Sequence, residues 1–442
     1  MNACVSDFAR RQEEVFSLEQ IGSIQEAAWL ALYRYAFEKS PFYGEHLKAA
    51  GLSPHSPPSL ADMGTLPMTD KDCLSERTSE FICVPDRQVV DVVTTSGSTG
   101  HPLVAVLTEA DLNRLGYNEY LSFRCADLTA EDRVLLAVTL DRCFMAGMAY
   151  FLGLRTLGAS VIRVGASLPA MHLETIQRLK PTAVVGVPSF LRLVAQRASE
   201  SGFDLVGSSV RKLVCIGEPV RTTSMELNKI GRDLEACWGA KVFSTYGSTE
   251  LATSLCECRA GLGNHIHPEL LYLETVDEQG NPPAPGEEGE LVATTFRMEA
   301  MPLIRYRTGD YARLISEPCP CGRLTQRISP ILGRKNHKLK VKGATLFPST
   351  LQVVLEACPE LASYVILVRN ESDLSDHIEI KVCWNAGCGE HTARLLRDRL
   401  QAEAKVVPTI SEASAEEIES LQMPEGARKR RFFVDLRTKA RE

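Results

Sequence analysis

Much of what would send a chain to a membrane or a nucleic acid is missing from these 442 residues. The opening stretch, MNACVSDFARRQEEVF, has no apolar run of signal-peptide length. Nothing later approaches the ~18 unbroken apolar residues of a membrane span. The formal charge is −7, so the chain offers no overall basic field for nucleic acid or anionic lipid. The one basic run, Arg428-Lys429-Arg430-Arg431, reads by itself as a solvated segment. Internal repeats, low-complexity tracts and a Walker GxxxxGK[ST] loop are also absent. These absences predict a cytoplasmic protein without nucleic-acid or membrane partners and leave a homodimer open. The 14 cysteines of such a chain are mostly reduced thiols, so only those at ligand-like spacing call for another explanation.

The length suggests two to three folding units, most simply one large and one small domain. Residues 1–50 read as helical with a break at Ser40-Pro41, and the proline-rich GLSPHSPPSL is a loop. From Val89 onward short β-branched runs alternate with helical stretches: Val90–Thr95, Val134–Thr139, Ser160–Val164, Thr182–Val187, Lys212–Ile216 and Lys241–Ser244. That alternation predicts α/β layers with ligand loops at strand ends. After Glu250 the texture becomes antiparallel, with Glu269–Val276, a turn at Glu278–Pro282 and Gly289–Thr295. A new α/β pattern begins beyond the glycine-bounded, charged stretch Gly333–Gly343. The expected division is therefore 1–332 and 333–442.

Thr95-Ser96-Gly97-Ser98-Thr99-Gly100 follows a β-like run and carries hydroxyls and glycines, which can turn donors toward an anion. Alone it is either a phosphate cradle or an ordinary Ser/Thr/Gly turn. Four further segments follow it in order: Thr245-Tyr246-Gly247-Ser248-Thr249-Glu250, Tyr306-Arg307-Thr308-Gly309-Asp310, Gly333-Arg334, and a basic segment near the C-terminus. The series resembles the adenylate-forming superfamily of acyl-CoA synthetases, and within it the phenylacetate–CoA ligase family. Ser40–Tyr43, Leu66–Lys71, Gly217-Glu218-Pro219, Pro302–Asp310 and Gly343–Pro348 extend the resemblance over nearly the whole chain.

The resemblance implies an α/β fold in two parts: a large N-terminal ATP- and acid-binding domain of layered sheets with a β-rich subdomain, and a small mobile α+β domain. It implies an aryl-acid–CoA ligase that uses ATP, Mg²⁺ and coenzyme A. The acid, of phenylacetate, benzoate or aminobenzoate type, would become acyl-AMP and then pass to the CoA thiol. The loop Thr95–Gly100 would fold over the β- and γ-phosphates, Gly217-Glu218-Pro219 and Gly247 would border the nucleotide, and Tyr246 would stack on adenine. Thr249 would touch the α-phosphate, and Glu250 would hold Mg²⁺ through a hard oxygen. Asp310 would accept the ribose hydroxyls, Arg334 would lie near ribose and phosphate, and Gly343 would line the pantetheine tunnel. The acid would lie among Phe144-Met145-Ala146-Gly147, Phe190, Ile216 and Tyr246, although Phe144 and Phe190 read equally well as core residues.

Three positions depart from the family pattern. His101 stands where the family usually has Lys, and Asn336 replaces the hinge Asp. Glu425-Gly426-Ala427 lacks the adenylation lysine, which Lys429 supplies when the count runs back from Asp435. Cys258, His265, Cys319 and Cys321 would form a closed structural Zn²⁺ shell, with Cys256 and His267 as rival ligands. Two other functions stay open: an adenylating enzyme that loads a carrier protein, amine or hydroxyl, and a non-catalytic nucleotide or acyl-adenylate binding protein.

Overall fold

The computed structural model describes residues 17–95, 103–341, 344–372, 375–385, 390–424 and 430–437. Two compact units are present: Met1–Thr308 with Ala312–Pro330, and Gly309–Tyr311 with Ile331–Glu442. Among the described residues no helix is long and apolar enough to cross a membrane.

The first unit opens with helix α1, Leu18–Lys39, which starts in a capping box: the Ser17 and Gln20 side chains each accept the other's backbone N–H. Ser40 ends it and caps the next helix, α2 (Pro41–Ala49), accepting Tyr43 N–H, so the expected break is a relay between two helices. A two-stranded sheet, β1 (Asp91–Thr94) and β2 (Val104–Leu107), precedes the main sheet.

The main sheet has a parallel half and an antiparallel half. Strands β3 (Arg133–Ala137), β4 (Ser160–Arg163), β5 (Ala183–Gly186), β6 (Lys212–Cys215) and β7 (Lys241–Ser248) run parallel in the order β4-β3-β5-β6-β7. The centres of β3, β5, β6 and β7 are buried on both faces, which is why they read as apolar runs, while the edge strand β4 is only half-buried. Alternate residues feed two cores. Val134, Leu136, Val185 and Val214 pack under helices α3 (Glu109–Cys125) and α4 (Met145–Leu157). Leu135, Ala137, Val184 and Leu213 pack against α5 (Pro169–Leu179), α6 (Pro188–Ser201) and α7 (Lys229–Trp238). Beyond β7 the sheet continues antiparallel through β8 (Thr253–Glu257), β9 (Asn264–His265), then β13 (Arg327–Ile328), β12 (Tyr306–Ile315), β11 (Glu288–Thr295) and β10 (Leu271–Val276).

In the second unit Asp310 and Tyr311 pair with β14, Arg334 and Gly333, and a small hairpin joins β15 (Leu339–Val341) to β16 (Ala344–Leu346). Its sheet runs β19-β18-β17-β20, from β17 (Leu361–Ser372), β18 (Ser375–Trp384), β19 (Thr409–Glu412) and β20 (Phe433–Asp435). Helices α8 (Pro348–Glu356) and α9 (Glu390–Ala404) cover one face, and α10 (Ala415–Gln422) the other through Ile418. This is an α+β arrangement.

Candidate active site

In the parallel half, β4 and β5 lie on opposite sides of β3, so the strand order reverses there. In open α/β sheets ligands bind outside the carboxyl ends of the strands at such a reversal. Phe144–Gly147 lie beyond the carboxyl end of β3, Phe190 beyond β5, Ile216–Pro219 beyond β6, and Tyr246–Glu250 close β7. Strand β1 joins them: Thr94 N–H donates to Cys143 O at 2.9 Å, in the loop after β3. Thr95 is nearly buried and its hydroxyl accepts Leu103 N–H at 3.0 Å, closing the base of the glycine-rich segment. Ser96, Gly97, Ser98, Thr99 and Gly100, together with His101, Gly343, Ala427 and Lys429, lie outside the described residues.

The β7–β8 hairpin carries the densest set of expected residues. Tyr246 pairs across it with Leu255 and is half-buried. Thr245, next to it, donates its hydroxyl to Cys215 O at 2.9 Å, tying β7 to the end of β6. Thr249 and Glu250 form the four-residue turn with Leu251 and Ala252, closed by Ala252 N–H to Thr249 O at 3.1 Å. The Glu250 carboxylate accepts the Ser248 hydroxyl at 2.7 Å and lies 3.9 Å from Lys71 Nζ. Lys71 opens a short helix capped by Asp70, and Thr69 is fixed to Arg305 O and Arg307 N–H. Lys71 ends the Leu66–Lys71 segment, to which the family resemblance assigns no role. Its proximity to Glu250 marks it as the cation of this hairpin tip. Glu218 receives the Ser189 N–H and hydroxyl at 2.9 and 2.7 Å, so its carboxylate sits at the positive end of α6. Gly217 precedes it at φ 74°, a conformation that favours glycine.

Of the residues expected around the acid, Phe144, Ala146 and Ile216 come together over one core, and Met145 is buried. Gly147 is there by necessity, because a Cβ would stand 1.9 Å from Thr139 O. Phe190 departs from the expected pocket. Helix α6 turns Leu191, Val194 and Ala198 into the core on the opposite face of the sheet, and Phe190 packs against that core, edge-on to His172 at 4.9 Å.

Beneath the hairpin, α3 buries Glu119 completely, where it accepts the Ser254 hydroxyl at 2.7 Å and the Asn118 amide at 3.1 Å. Burial pushes its carboxyl up to about 7 against those two hydrogen bonds. A raised acid is favoured protonated in the native state. Its contribution is complete below the ordinary value of 4.5 and is lost as pH rises through about 7. Glu119→Gln should therefore flatten the pH dependence of stability over that window, by on the order of 3 kcal/mol. Melting temperatures of both proteins at about pH 5 and about pH 8 test this; parallel changes would refute it.

In the second unit, Asp310 is nearly buried and follows Gly309 at φ 76°. Its Oδ1 accepts Arg334 Nε at 3.0 Å, while the Arg334 side chain remains 60% exposed. The expected ribose carboxylate and its neighbouring cation are thus brought together. The backbone of Asn336 lies in the 3₁₀ turn Lys335–His337 just beyond them.

The four metal-type residues also converge. One ligand atom from each of Cys258, His265, Cys319 and Cys321 lies within 4.8 Å of the others. The Cys258 and Cys319 sulfurs are 3.6 Å apart, and Cys321 Sγ is 3.5 Å from His265 Nε2. Tetrahedral Zn²⁺ would hold two thiolates ~3.8 Å apart and a thiolate and an imidazole nitrogen ~3.6 Å apart, so the set fits. Burial, with Arg323 and Arg327, pushes the His265 imidazole down to about 3, which keeps it neutral. Its Nδ1 is held 3.1 Å from Thr325 Oγ1, leaving Nε2 facing the sulfurs. The rivals are engaged elsewhere: Cys256 packs in the core, and His267 Nε2 lies 3.1 Å from Ser122 Oγ.

Comparison with known proteins identifies the family. The AMP-binding enzyme family model fits residues 45–297. A phenylacetate–coenzyme A ligase of Thermus thermophilus is 31% identical over 378 residues, spanning 84% of this chain and 82% of that one. The chain belongs to the phenylacetate–coenzyme A ligase family of AMP-binding enzymes. It is an AMP-forming acid–thiol ligase. The phenylacetate–coenzyme A ligase of Escherichia coli is 28% identical over 379 residues, 84% of each chain. A solved 2-hydroxyisobutyryl-CoA ligase in the postadenylation state superposes with a TM-score of 0.82 at 22% identity, over 96% of this chain and 91% of that one. That likeness supports the ligase fold.

Proposed function

We propose that this ligase activates an aromatic carboxylic acid of phenylacetate, benzoate or aminobenzoate type as acyl-AMP and transfers the acyl group to coenzyme A. The observation that carries the reading is the β7–β8 hairpin tip, with Tyr246, Thr249 and Glu250 at the same carboxyl edge of the sheet that carries the apolar Phe144, Met145, Ala146 and Ile216. A carboxylate oxygen of the acid attacks the α-phosphorus, the bond to pyrophosphate breaks, and pyrophosphate leaves. The CoA sulfur then attacks the acyl carbon, losing its proton, and AMP departs. The protein's part is positioning and charge stabilisation.

In that division of labour Tyr246 stacks on adenine, Gly217-Glu218-Pro219 and Gly247 border the nucleotide, Thr249 donates to the α-phosphate, and Asp310 and Arg334 meet ribose and phosphate. The Glu250 carboxylate offers the hard oxygen that Mg²⁺ prefers, and the bound ion would neutralise phosphate charge. Lys429 serves as the adenylation cation, and the Ser96–Gly100 loop covers the terminal phosphates. Met1–Thr308 with Ala312–Pro330 form the acid- and nucleotide-binding domain, and Gly309–Tyr311 with Ile331–Glu442, close to the division expected at 332/333, the mobile one. The enzyme acts in the cytoplasm on small molecules, without nucleic-acid partners.

Single-turnover acyl transfer tests the acceptor. Aryl-CoA should appear with free CoA at a rate matching consumption of the acyl-adenylate. An adenylate that persists with CoA and discharges only onto a carrier protein, an amine or a hydroxyl would overturn the CoA reading.

Cys258, His265, Cys319 and Cys321 would hold a structural zinc. Four protein ligands would leave no open position for chemistry, so their role would be to tie the end of β8, β9 and the Cys319–Cys321 turn together. Protein purified without added metal should carry about one equivalent of zinc. Cys319→Ser should lose it and melt several degrees lower, by ~5–10 °C. Metal-free wild type would refute the site.

A further inference from the structure

Helix α3 carries a polar stripe at helical spacing, Asp111, Arg114, Asn118 and Ser122, yet all four residues are buried. Arg114 is the largest of them, with a relative exposure of 1%. Among the described residues its guanidinium makes no ion pair within salt-bridge distance, and it spends its donors on four oxygens. Nη1 donates to Ala252 O at 2.8 Å, Nη2 to Leu270 O at 2.8 Å and Thr253 Oγ1 at 3.3 Å, and Nε to Phe296 O at 2.7 Å. Thr253 in turn donates its hydroxyl to Leu251 O at 3.0 Å.

One of these contacts acts directly on the short turn Thr249–Ala252, at Ala252 O, and a second acts on it through the Thr253 relay to Leu251 O. That turn has an unusual feature: Ala252 adopts φ 44°, a left-handed conformation that a residue with a Cβ rarely takes. Leu251 and Ala252 are each 1% exposed, and their carbonyl oxygens are the ones held by Thr253 and Arg114. A planar guanidinium suits this task, because its donors diverge in a fixed plane toward several carbonyls at once. Lysine would bring one ammonium and leave some of those oxygens unsatisfied in the core.

We infer that Arg114 is a positioning residue for nucleotide activation: through Ala252 O and the Thr253–Leu251 relay it locks the left-handed turn that aims Thr249 and the Glu250 carboxylate. This inference rests on the reading of Glu250 as the divalent-cation carboxylate. The arginine touches neither substrate nor metal. Without it the turn relaxes, Glu250 leaves its place beside Ser248 and Lys71, and the demand for Mg²⁺ rises before the fold is lost.

The test is Mg²⁺-dependent ATP binding by the full-length protein, measured together with its melting temperature. Arg114→Lys and Thr253→Val should each raise the Mg²⁺ concentration needed for half-maximal ATP binding, by about ten-fold and about three-fold. Thr253→Ser keeps the hydroxyl and should stay at the wild-type value. Ser122→Ala removes a different bond from α3 to β8, Ser122 Oγ to Ser254 O, and should lower the melting temperature without moving the Mg²⁺ requirement. If Arg114→Lys does not fold, Thr253→Val against Thr253→Ser decides alone. Equal Mg²⁺ requirements in wild type and Thr253→Val, or the same shift in Ser122→Ala, would overturn the role of Arg114 while leaving the ligase reading intact. Wild type that binds ATP with no dependence on Mg²⁺ would overturn the reading of Glu250 and this inference with it.

Discussion

Glu250→Gln is expected to lower acid-dependent ATP–pyrophosphate exchange by about 100-fold or more, a loss of ~3 kcal/mol or greater in transition-state stabilisation. The substitution preserves shape and removes only the charge. The Ser248 hydroxyl, 2.7 Å from Oε2, can still donate to the amide oxygen. Lys71, 3.9 Å from Oε1, loses its counter-charge. A neutral amide is a far poorer ligand for a hard divalent cation than a carboxylate, so the loss should fall on Mg·ATP. The melting temperature should barely move, because the side chain lies at the hairpin tip and its hydrogen bond survives. Exchange within about three-fold of wild type would show that the carboxylate is not at the reacting phosphates.

Lys429→Ala should depress adenylation by a comparable factor, about 100- to 1,000-fold, while leaving thiolysis of a supplied acyl-adenylate near normal. The asymmetry follows from the chemistry. Attack on the α-phosphorus builds charge that an ammonium can neutralise, whereas the thiol step expels AMP already formed. Glu425-Gly426-Ala427 offers no lysine where the family has one, and Lys429 takes the position when the count runs back from Asp435 with two extra residues allowed. Unimpaired adenylation in the variant would mean that a different cation fills the role.

The sequence exposed the parallel half of the fold because strands buried on both faces are apolar at every position. Val134–Ala137, Ala183–Val185 and Leu213–Cys215 leave little room for another reading. It hid β9 and β13, two residues each, which exist only because β8 and β12 present ladders to pair with. The membership of Asp310 and Tyr311 in the second unit was hidden for the same reason, since it depends on pairing with Arg334 and Gly333. Local pattern also misled at Phe190, whose place after a strand end resembles a pocket position until α6 turns it toward His172.

Among the metal-type residues, spacing alone left Cys256 and His267 as rivals. The ladder pairing His265 with Cys256 and Arg327 fixes where His265 stands, and Ser122 claims His267. Arg114 was the least legible. A polar stripe on a helix ordinarily marks a solvated face, and only an irregular turn with carbonyls to satisfy makes it an interior one. The Glu250 motif was plain in the sequence, while the arginine that holds its turn had no local signal.

This chain is expected to join ATP and an aromatic acid as an adenylate. ATP–pyrophosphate exchange across a panel of phenylacetate, benzoates and aminobenzoates measures that step without reference to the acceptor. Exchange should be Mg²⁺-dependent with at least one of these acids, absent without acid and lost in Glu250→Gln. Measurable ATP binding with no exchange for any acid would contradict it and leave a nucleotide-binding protein that does no ligation.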